Sequence, residues 1–320
     1  MDKQRDFFAS IQTGTESFLS WRKRRAAEKR EKQRAKNPIV DWIEAFFWAA
    51  GVVLLVNQYL FQAYQIPSGS MIDTLLIGDR IFVNKLVYGP ELLPGLVKIP
   101  SPIRAEREEV IIFENPEYEK RGPLFDIVQR VLYMLTLSLV DIDRDAATGE
   151  PRPHFLIKRA AALGGDQLRL VDGELLLRHA GETRWVPERD YVEGLGLEHH
   201  ISRLINADDY PRMRHAARAI VLARNGLVGR PSYAGNADHF AVEEAIALAG
   251  NAINPQDEAT RELIMRHQLG WYVSEARVFP MGDNRDNSKD ARFFGAVRRD
   301  KVLGQALIKY WPLSRFGGIR

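Results

Sequence analysis

Residues 62–89 read QAYQIPSGSMIDTLLIGDRIFVNKLVYG. The stretch follows directly on a long apolar run and begins like a strand. It then sets Ser68 and Ser70 on either side of a glycine, beside Met71, with Gly78-Asp79 eight residues on. A chain that leaves an apolar run and at once presents small hydroxyl residues raises two questions: what the run is, and what the hydroxyls are for.

The run spans residues 43–64, IEAFFWAAGVVLLVNQYLFQAY. Its apolar character extends over about 20 residues, enough to cross the hydrocarbon core of a bilayer. Trp42, Trp48, Tyr59 and Tyr64 suit the two interface belts. The segment before it, WRKRRAAEKREKQRAK (residues 21–36), carries nine Lys or Arg and two Glu. The positive-inside rule keeps such a segment cytoplasmic and sends everything after Tyr64 to the other side. A cleavable signal peptide fits poorly, because no small-x-small site follows the run promptly. A buried core helix is the remaining soluble alternative.

A second apolar stretch, residues 124–140 (LFDIVQRVLYMLTLSLV), contains Asp126, Gln129 and Arg130 and is short for a span. It reads as a core helix or as an amphipathic segment resting on a membrane.

Of the 320 residues, 45% are apolar and 27% charged, so the chain can bury a sizeable core while keeping a soluble face. A net charge of +3 does not by itself point to nucleic acid. The chain has no cysteine, which excludes a disulfide, a thiol nucleophile and a thiolate metal site.

Beyond residue 66, IFVNKLVYG, REEVIIFENP, HFLIKRAAAL, WYVSEARVFPMG and KVLGQALIKYWP read as strands. DQLRLVDGELLLRH holds Asp-Gly between apolar runs, a hairpin signal. Residues 196–270 differ: they are rich in Ala, Arg, Glu and Leu at helical spacing. The spacing predicts helices in DDYPRMRHAARAIVLARNG and in ADHFAVEEAIALAG, the latter ending near Gly250. It predicts a third in NPQDEATRELIMRHQLG, with Asn254 as cap and Pro255 at the first helical position.

A serine nucleophile needs a base. The histidines at 154, 179, 199, 200, 215, 239 and 267 fall at predicted hairpin edges or in the helical stretch, where they read as surface or structural residues. A lysine serves instead if burial strips the charge from its amine. Lys158 fits, with Phe155, Leu156 and Ile157 before it and Ala160 to Leu163 following Arg159. Ordinary strand alternation, with Lys158 pointing to water, is the bland alternative. A third cluster, MGDNRDNSKDARFFGAV (residues 281–297), presses Asp283, Arg285, Asp286, Ser288, Asp290 and Arg292 between apolar runs. Polar groups held against a core must satisfy one another. The glycine and distal glutamate of a calcium loop are missing from it, so it is not read as a metal site.

Four blocks, in order, resemble the type I signal peptidases, membrane-anchored Ser-Lys serine proteases. They are Pro67-Ser68-Gly69-Ser70-Met71 with Thr74-Leu75, then residues 78–85 (GDRIFVNK), then Lys158-Arg159 with Gly164-Gly165-Asp166, and residues 282–288 (GDNRDNS) with Asp290, Arg292 and Gly295. The resemblance covers roughly residues 40–115, 154–192 and 271–315. Two positions depart from the family pattern. Asp73 stands where proline usually follows the nucleophile, and a carboxylate near the amine would raise its pKa. Gly164-Gly165-Asp166 lacks the usual proline.

The resemblance implies a mainly β fold, a signal-peptidase-like β catalytic domain with an N-terminal transmembrane helix; the helical insertion comes from the spacing of residues 196–270 alone and has no counterpart to carry over from the family. The expected organisation is a basic cytoplasmic tail (1–38), a transmembrane helix (39–64), a β catalytic domain (65–195 and 271–320) and the insertion (196–270). It implies an endopeptidase that removes signal peptides after small-x-small sites. Ser70 is expected as nucleophile and Lys158 as general base. Ser68 would serve the oxyanion with the Ser70 N–H, and Ser288 would hold the Lys158 amine. Asp290 and Arg292 would form a supporting pair, and Ile66, Pro67 and Ile157 would line the substrate pocket. No cofactor or metal is expected. The implied partners are signal peptides of exported preproteins and membrane lipid, with no nucleic acid. The implied setting is a monomer near the export machinery in a bacterial inner membrane, single-pass, tail inside and catalytic domain on the periplasmic side. Two alternatives are a catalytically inactive, membrane-anchored signal-sequence-binding protein and a self-cleaving repressor-type protease. Ser70, Lys158 and Ser288 argue against the first, and the apolar span argues against the second.

Overall fold

The computed structural model describes residues 15, 19–25, 38–93, 97–119, 121–136, 139–145, 149, 152–198, 201–227, 235 and 237–319. The chain divides into two compact units, Met1–Val53 and Leu54–Arg320. In the first, residues 19–25 are helical (α1), with the Arg25 guanidinium 4.6 Å from the centre of the Trp21 ring. The rest of the basic segment, residues 26–37, lies outside the described residues, as does most of the expected tail 1–38.

Helix α2, Pro38–Tyr59, runs from the first unit into the second. Its 22 residues are long and apolar enough to cross a membrane. It is shorter than the span of 39–64 read from the sequence. Leu60 is a turn, and Phe61–Gln65 forms strand β1, with Ala63 and Tyr64 buried. An apolar run cannot separate a span from a buried strand that follows it. Here Gln62 and Gln65 mark the change, since alternation along β1 carries Gln62 inward to accept from Lys85 Nζ at 3.0 Å.

The second unit is built on an antiparallel eight-stranded sheet in the order β1-β2-β13-β5-β6-β11-β12, with β14 (Gly317–Gly318) added beside β13. Its members are β2 (Arg80–Asn84), β5 (Val110–Glu114), β6 (Phe155–Leu163), β11 (Arg277–Met281), β12 (Val297–Arg298) and β13 (Val302–Trp311). A four-stranded sheet, β10-β7-β8-β9, uses Trp271–Tyr272, Gln167–Val171, Glu174–Arg178 and Val186–Pro187. Its β7–β8 hairpin turns at Asp172-Gly173, as the sequence signalled. A short pair, β3 (Glu91–Leu93) and β4 (Val97–Lys98), completes the β structure described.

Helix α3, Pro123–Leu135, leaves between β5 and β6, and α4, Glu188–Gly194, follows β9. Residues 196–270 hold α5 (Asp209–Arg224), α6 (His239–Ile253) and α7 (Glu258–Leu269). Helix α7 starts later than the sequence suggested. Its cap is Asp257, whose carboxylate accepts from Thr260 N at 3.1 Å. Asn254 ends α6 instead and supports a turn through Gln256 N. Either residue type suits a cap; the one with a free N–H three residues on takes the role.

Strand β6 sets the site. Lys158 through Ala162 are all buried, with Ile111 of β5 opposite Lys158 and Val110 opposite Arg159. One cluster, including Tyr64, Ile66, Met71, Leu75 and Ile112, packs with Phe155 and Ile157 on one side of the sheet. A second, including Ala161, Leu168, Phe279 and Met281, joins the two larger sheets.

Candidate active site

The residues between β1 and β2 form a closed loop. Ile66 N donates to Asp79 O and Gly78 N donates to Ile66 O, each at 2.9 Å. This is why Gly-Asp recurs eight residues after the serine. Gly78 adopts φ +89°, a turn conformation that favours glycine. Asp79, buried, accepts from Leu76 N at 2.8 Å and from Arg315 Nη1 at 2.9 and 2.7 Å. Within the closed loop, Gly69–Met71 makes one 3-10 turn that turns Ser70 toward β6 and leaves Ser68 exposed.

Lys158 Nζ lies 2.6 Å from Ser70 Oγ and 3.0 Å from Ile157 O. Lys158 is 4% exposed. Burial lowers its pKa to about 8, although the Asp290 and Asp283 carboxylates pull the other way. Asp73, the departure from the family pattern, is exposed, and the shift of the amine comes from burial, opposed by Asp290 and Asp283. Ser68 Oγ sits 3.5 Å from Ser70 Oγ.

The 281–297 cluster buttresses this pair from behind. Asn284 N donates to Ser70 O and Asn284 Nδ2 to Gly69 O, both at 3.1 Å. Arg159 binds Asp283 through Nε at 2.8 Å and Nη2 at 2.7 Å, and Thr74 Oγ1 donates to the same carboxylate at 2.5 Å. Asp290 accepts from Gly282 N at 3.0 Å and from Arg292 Nε at 2.9 Å. Burial pushes the Asp290 carboxyl up, but Arg292 outweighs it and holds the group below the usual carboxylate range. The hydrogen bonds of the Lys158 amine go to Ser70 Oγ and Ile157 O, and none to Ser288 is seen among the described residues. Among the described residues the buried Ser288 hydroxyl has no hydrogen-bond partner of ordinary geometry, though it lies close enough to Asp290 to favour that carboxylate's charged form. Gly282 is forced by close approach: a Cβ there would sit 2.2 Å from Ser288 Oγ and 2.5 Å from Ser70 O.

Ser68, Ser70 and Lys158 open on a cleft of about 480 Å³ that also takes in Ile66, Pro67 and Ile157. These six sequence-read candidates therefore meet in one place, with Ser288, Asp290 and Arg292 outside the cleft lining. His154 reaches the same cleft, but its Nε2 faces Asp143 at 3.0 Å rather than Ser70.

Sequence reading missed several partnerships. Arg285 Nε donates to Gly282 O at 2.9 Å, and its Nη2 to Glu188 Oε1 at 2.7 Å. Glu188 opens α4 and reads as a surface residue, yet it is 4% exposed. Glu108, beside Arg159, is pushed up to about 7 by burial and by Glu188. Nor did sequence show that Gln129, Tyr133, Leu139 and Asp141, all from the region between β5 and β6, wall the far end of the cleft.

The sequence profile of the family described as signal peptidase, peptidase S26, matches residues 39–311. Among curated relatives, the chain is similar to Signal peptidase I of Aquifex aeolicus (strain VF5), 30% identical over 81% of this chain and 79% of that protein. It is also similar to Signal peptidase I of Buchnera aphidicola subsp. Acyrthosiphon pisum (strain APS), 26% identical over 89% and 78%. Signal peptidase I of Haemophilus influenzae is 25% identical over 89% and 74%. With the profile spanning most of the sequence and an apolar helix at its start, the chain is a membrane-anchored member of the signal peptidase S26 family.

Proposed function

We propose that the chain is a type I signal peptidase that cuts exported precursors with a Ser70–Lys158 dyad. The observation that carries this reading is the 2.6 Å separation of a buried amine and a serine hydroxyl that open on one cleft. At pH 7, a group with a pKa of about 8 is uncharged roughly one time in ten, against fewer than one in a thousand for an ordinary lysine. The neutral amine accepts the Ser70 proton as Oγ bonds to the scissile carbonyl carbon. The carbonyl electrons move to oxygen, where the Ser68 hydroxyl and the Ser70 N–H stabilise them. The Lys158 ammonium returns its proton to the departing amine nitrogen as the C–N bond breaks. Water then attacks the acyl ester, with Lys158 again taking a proton and giving it back to Ser70 Oγ.

The pocket residues Ile66, Pro67 and Ile157 leave a shallow apolar surface suited to small side chains before the cut. The Asp290–Arg292 pair holds the 282–288 turn through Gly282 N–H. The chain works as a monomer near the export machinery of a bacterial inner membrane, with the basic tail inside and the cleft on the periplasmic side. An extended chain from Tyr59 to Ser70 reaches at most about 40 Å, so the nucleophile stays near the bilayer from which its substrate emerges.

Cleavage of a purified precursor by wild type, Ser70→Ala and Lys158→Met tests the reading. Activity in wild type alone is expected. Equal processing by all three would remove the dyad, and no processing by wild type would favour a signal-sequence-binding protein.

A further inference from the structure

Helix α3 is amphipathic in the reverse sense to a helix of a soluble domain. Its outer face carries Leu124, Ile127, Val128 and Leu135, at 76, 56, 45 and 37% exposure. Its inner face carries the polar groups. Gln129 is 4% exposed and donates to Asp141 Oδ1 at 2.9 Å, and Arg130 Nη1 lies 3.6 Å from Glu91 Oε2. A helix in water turns its apolar stripe to the core and its polar residues out. The exposed apolar surface continues past the helix end at Leu139 and Val140.

The helix does not cross a bilayer. Thirteen residues rise about 20 Å, short of the roughly 30 Å needed. The chain on both sides of it also returns to one point. The fully buried Asp143 carboxylate meets Tyr118 Oη at 2.8 Å and Arg121 Nε at 3.1 Å from before the helix, and His154 Nε2 at 3.0 Å from after it. A spanning segment would put those residues on opposite faces of the membrane.

Its location names the occupant of the outer face. Glu91, which pairs with Arg130, also receives Gln58 Nε2 on its carbonyl at 2.8 Å, and Gln58 is in the last turn of α2. The inner face of α3 therefore packs where the anchoring helix ends.

We propose that α3 is an interfacial helix. Its outer face lies in the bilayer surface beside the end of α2, while its inner face, through Gln129 and Tyr133, walls the cleft. The partner is lipid. The consequence is that the far end of the cleft opens at the level where a membrane-borne peptide emerges. The proposal rests on anchoring by α2 and is independent of the dyad.

The chain has no native cysteine, so a single introduced thiol labels one site only. The full chain carrying Leu124→Cys or Ile127→Cys is labelled with an environment-sensitive fluorophore. It is then reconstituted in phosphatidylethanolamine–phosphatidylglycerol vesicles, with and without nitroxide-bearing lipid. Glu174→Cys, at the exposed β7–β8 turn, is the control. Labels at 124 and 127 are expected to shift emission to the blue and to be quenched by the nitroxide lipid but not by aqueous iodide, with the reverse at 174. Iodide quenching at 124 and 127 equal to that at 174 overturns the proposal in favour of a solvated face. Protection from both quenchers overturns it in favour of a protein partner or a second copy. None of these outcomes needs an active enzyme. A second measurement compares Ile127→Asp/Val128→Asp with wild type. Slowed processing of vesicle-embedded precursor with unchanged hydrolysis of a short soluble peptide supports the proposal, and unchanged processing of both counts against it.

Discussion

Arg159 and Asp283, 124 residues apart in sequence, face each other as a fully buried two-point ion pair directly behind Ser70. Arg159 is the neighbour of Lys158 on β6, and Asp283 follows Gly282 in the turn that supports the Ser70 backbone. The pair thus ties the strand carrying the amine to the turn carrying the nucleophile's support. Arg159→Met leaves the Asp283 carboxylate buried without its counter-charge. A loss of about 3–5 kcal/mol is expected, because breaking one side of a buried pair costs more than the pair contributes. Thermal unfolding of the full chain in detergent checks it. A variant as stable as wild type would mean that the pair is not the tie described.

The amine's pKa gives a pH dependence with a definite sign. Lys158 must be uncharged to accept the Ser70 proton, and burial has brought its pKa to about 8. Cleavage is therefore expected to rise with pH through about 8 and then to level off. Asp290 favours the charged amine, so Asp290→Asn is expected to move this limb to lower pH. The profile of kcat/KM against pH reads both. A limb that stays in place, or moves upward, in Asp290→Asn would separate Lys158 from the titration.

Ser288 separates stability from catalysis. Its hydroxyl is buried and supports the Asp290 carboxylate without a hydrogen bond of ordinary geometry, so Ser288→Ala is expected to change stability little. If the hydroxyl steers the Lys158 amine during turnover, kcat falls while the melting temperature holds. A fall in both together would show Ser288 to be structural.

Gly282 offers the opposite case. Adding a methyl group 2.2 Å from Ser288 Oγ and 2.5 Å from Ser70 O must displace both of them or the turn that carries it. A misplacement of about 1 Å near reacting groups costs on the order of a hundredfold, and Gly282→Ala is expected to lose that much in kcat. Wild-type kcat in this variant would show that the turn adjusts without moving Ser70.

What the sequence made legible was local. β6 was readable because Phe155 to Leu163 is one apolar run broken only by Lys158 and Arg159, and the β7–β8 hairpin because Asp172-Gly173 suits only a tight turn. Ser70 and Lys158 were singled out because their blocks resemble a known family, and the structure brings their side chains to 2.6 Å. The partnerships were not legible. Glu188 and Arg285 are 97 residues apart, and although Arg285 sits in a polar cluster pressed between apolar runs, nothing around Glu188 marks it as the partner. The apolar residues of α3 were visible, but which way they faced depended on Gln129 and Arg130 finding partners in Asp141 and Glu91. The end of α2 was misjudged because β1 continues its apolar composition while changing its backbone.

The helical region 196–270 also escaped a role in sequence, yet its first residues strap the supporting turn. Ser202 N donates to Asp283 O at 2.9 Å, and Arg285 N donates back to Ser202 O at 3.1 Å. The Asp286 carboxylate then accepts from Leu204 N at 2.6 Å, Ile205 N at 3.0 Å and Arg203 Nε at 3.1 Å. Three donors converge on one side chain, so removing it strands them together, while the Ser202 backbone bonds remain. Asp286→Ala is therefore expected to loosen the 201–205 strap and cost about 2–4 kcal/mol, with lower kcat and little change in KM, since Asp286 lies behind the cleft rather than in it. Hydrogen exchange at residues 201–205 and 282–288 reads the loosening directly. If exchange rises at 201–205 alone and kcat is unchanged, the helical region is a passenger on the catalytic turn and not its clamp.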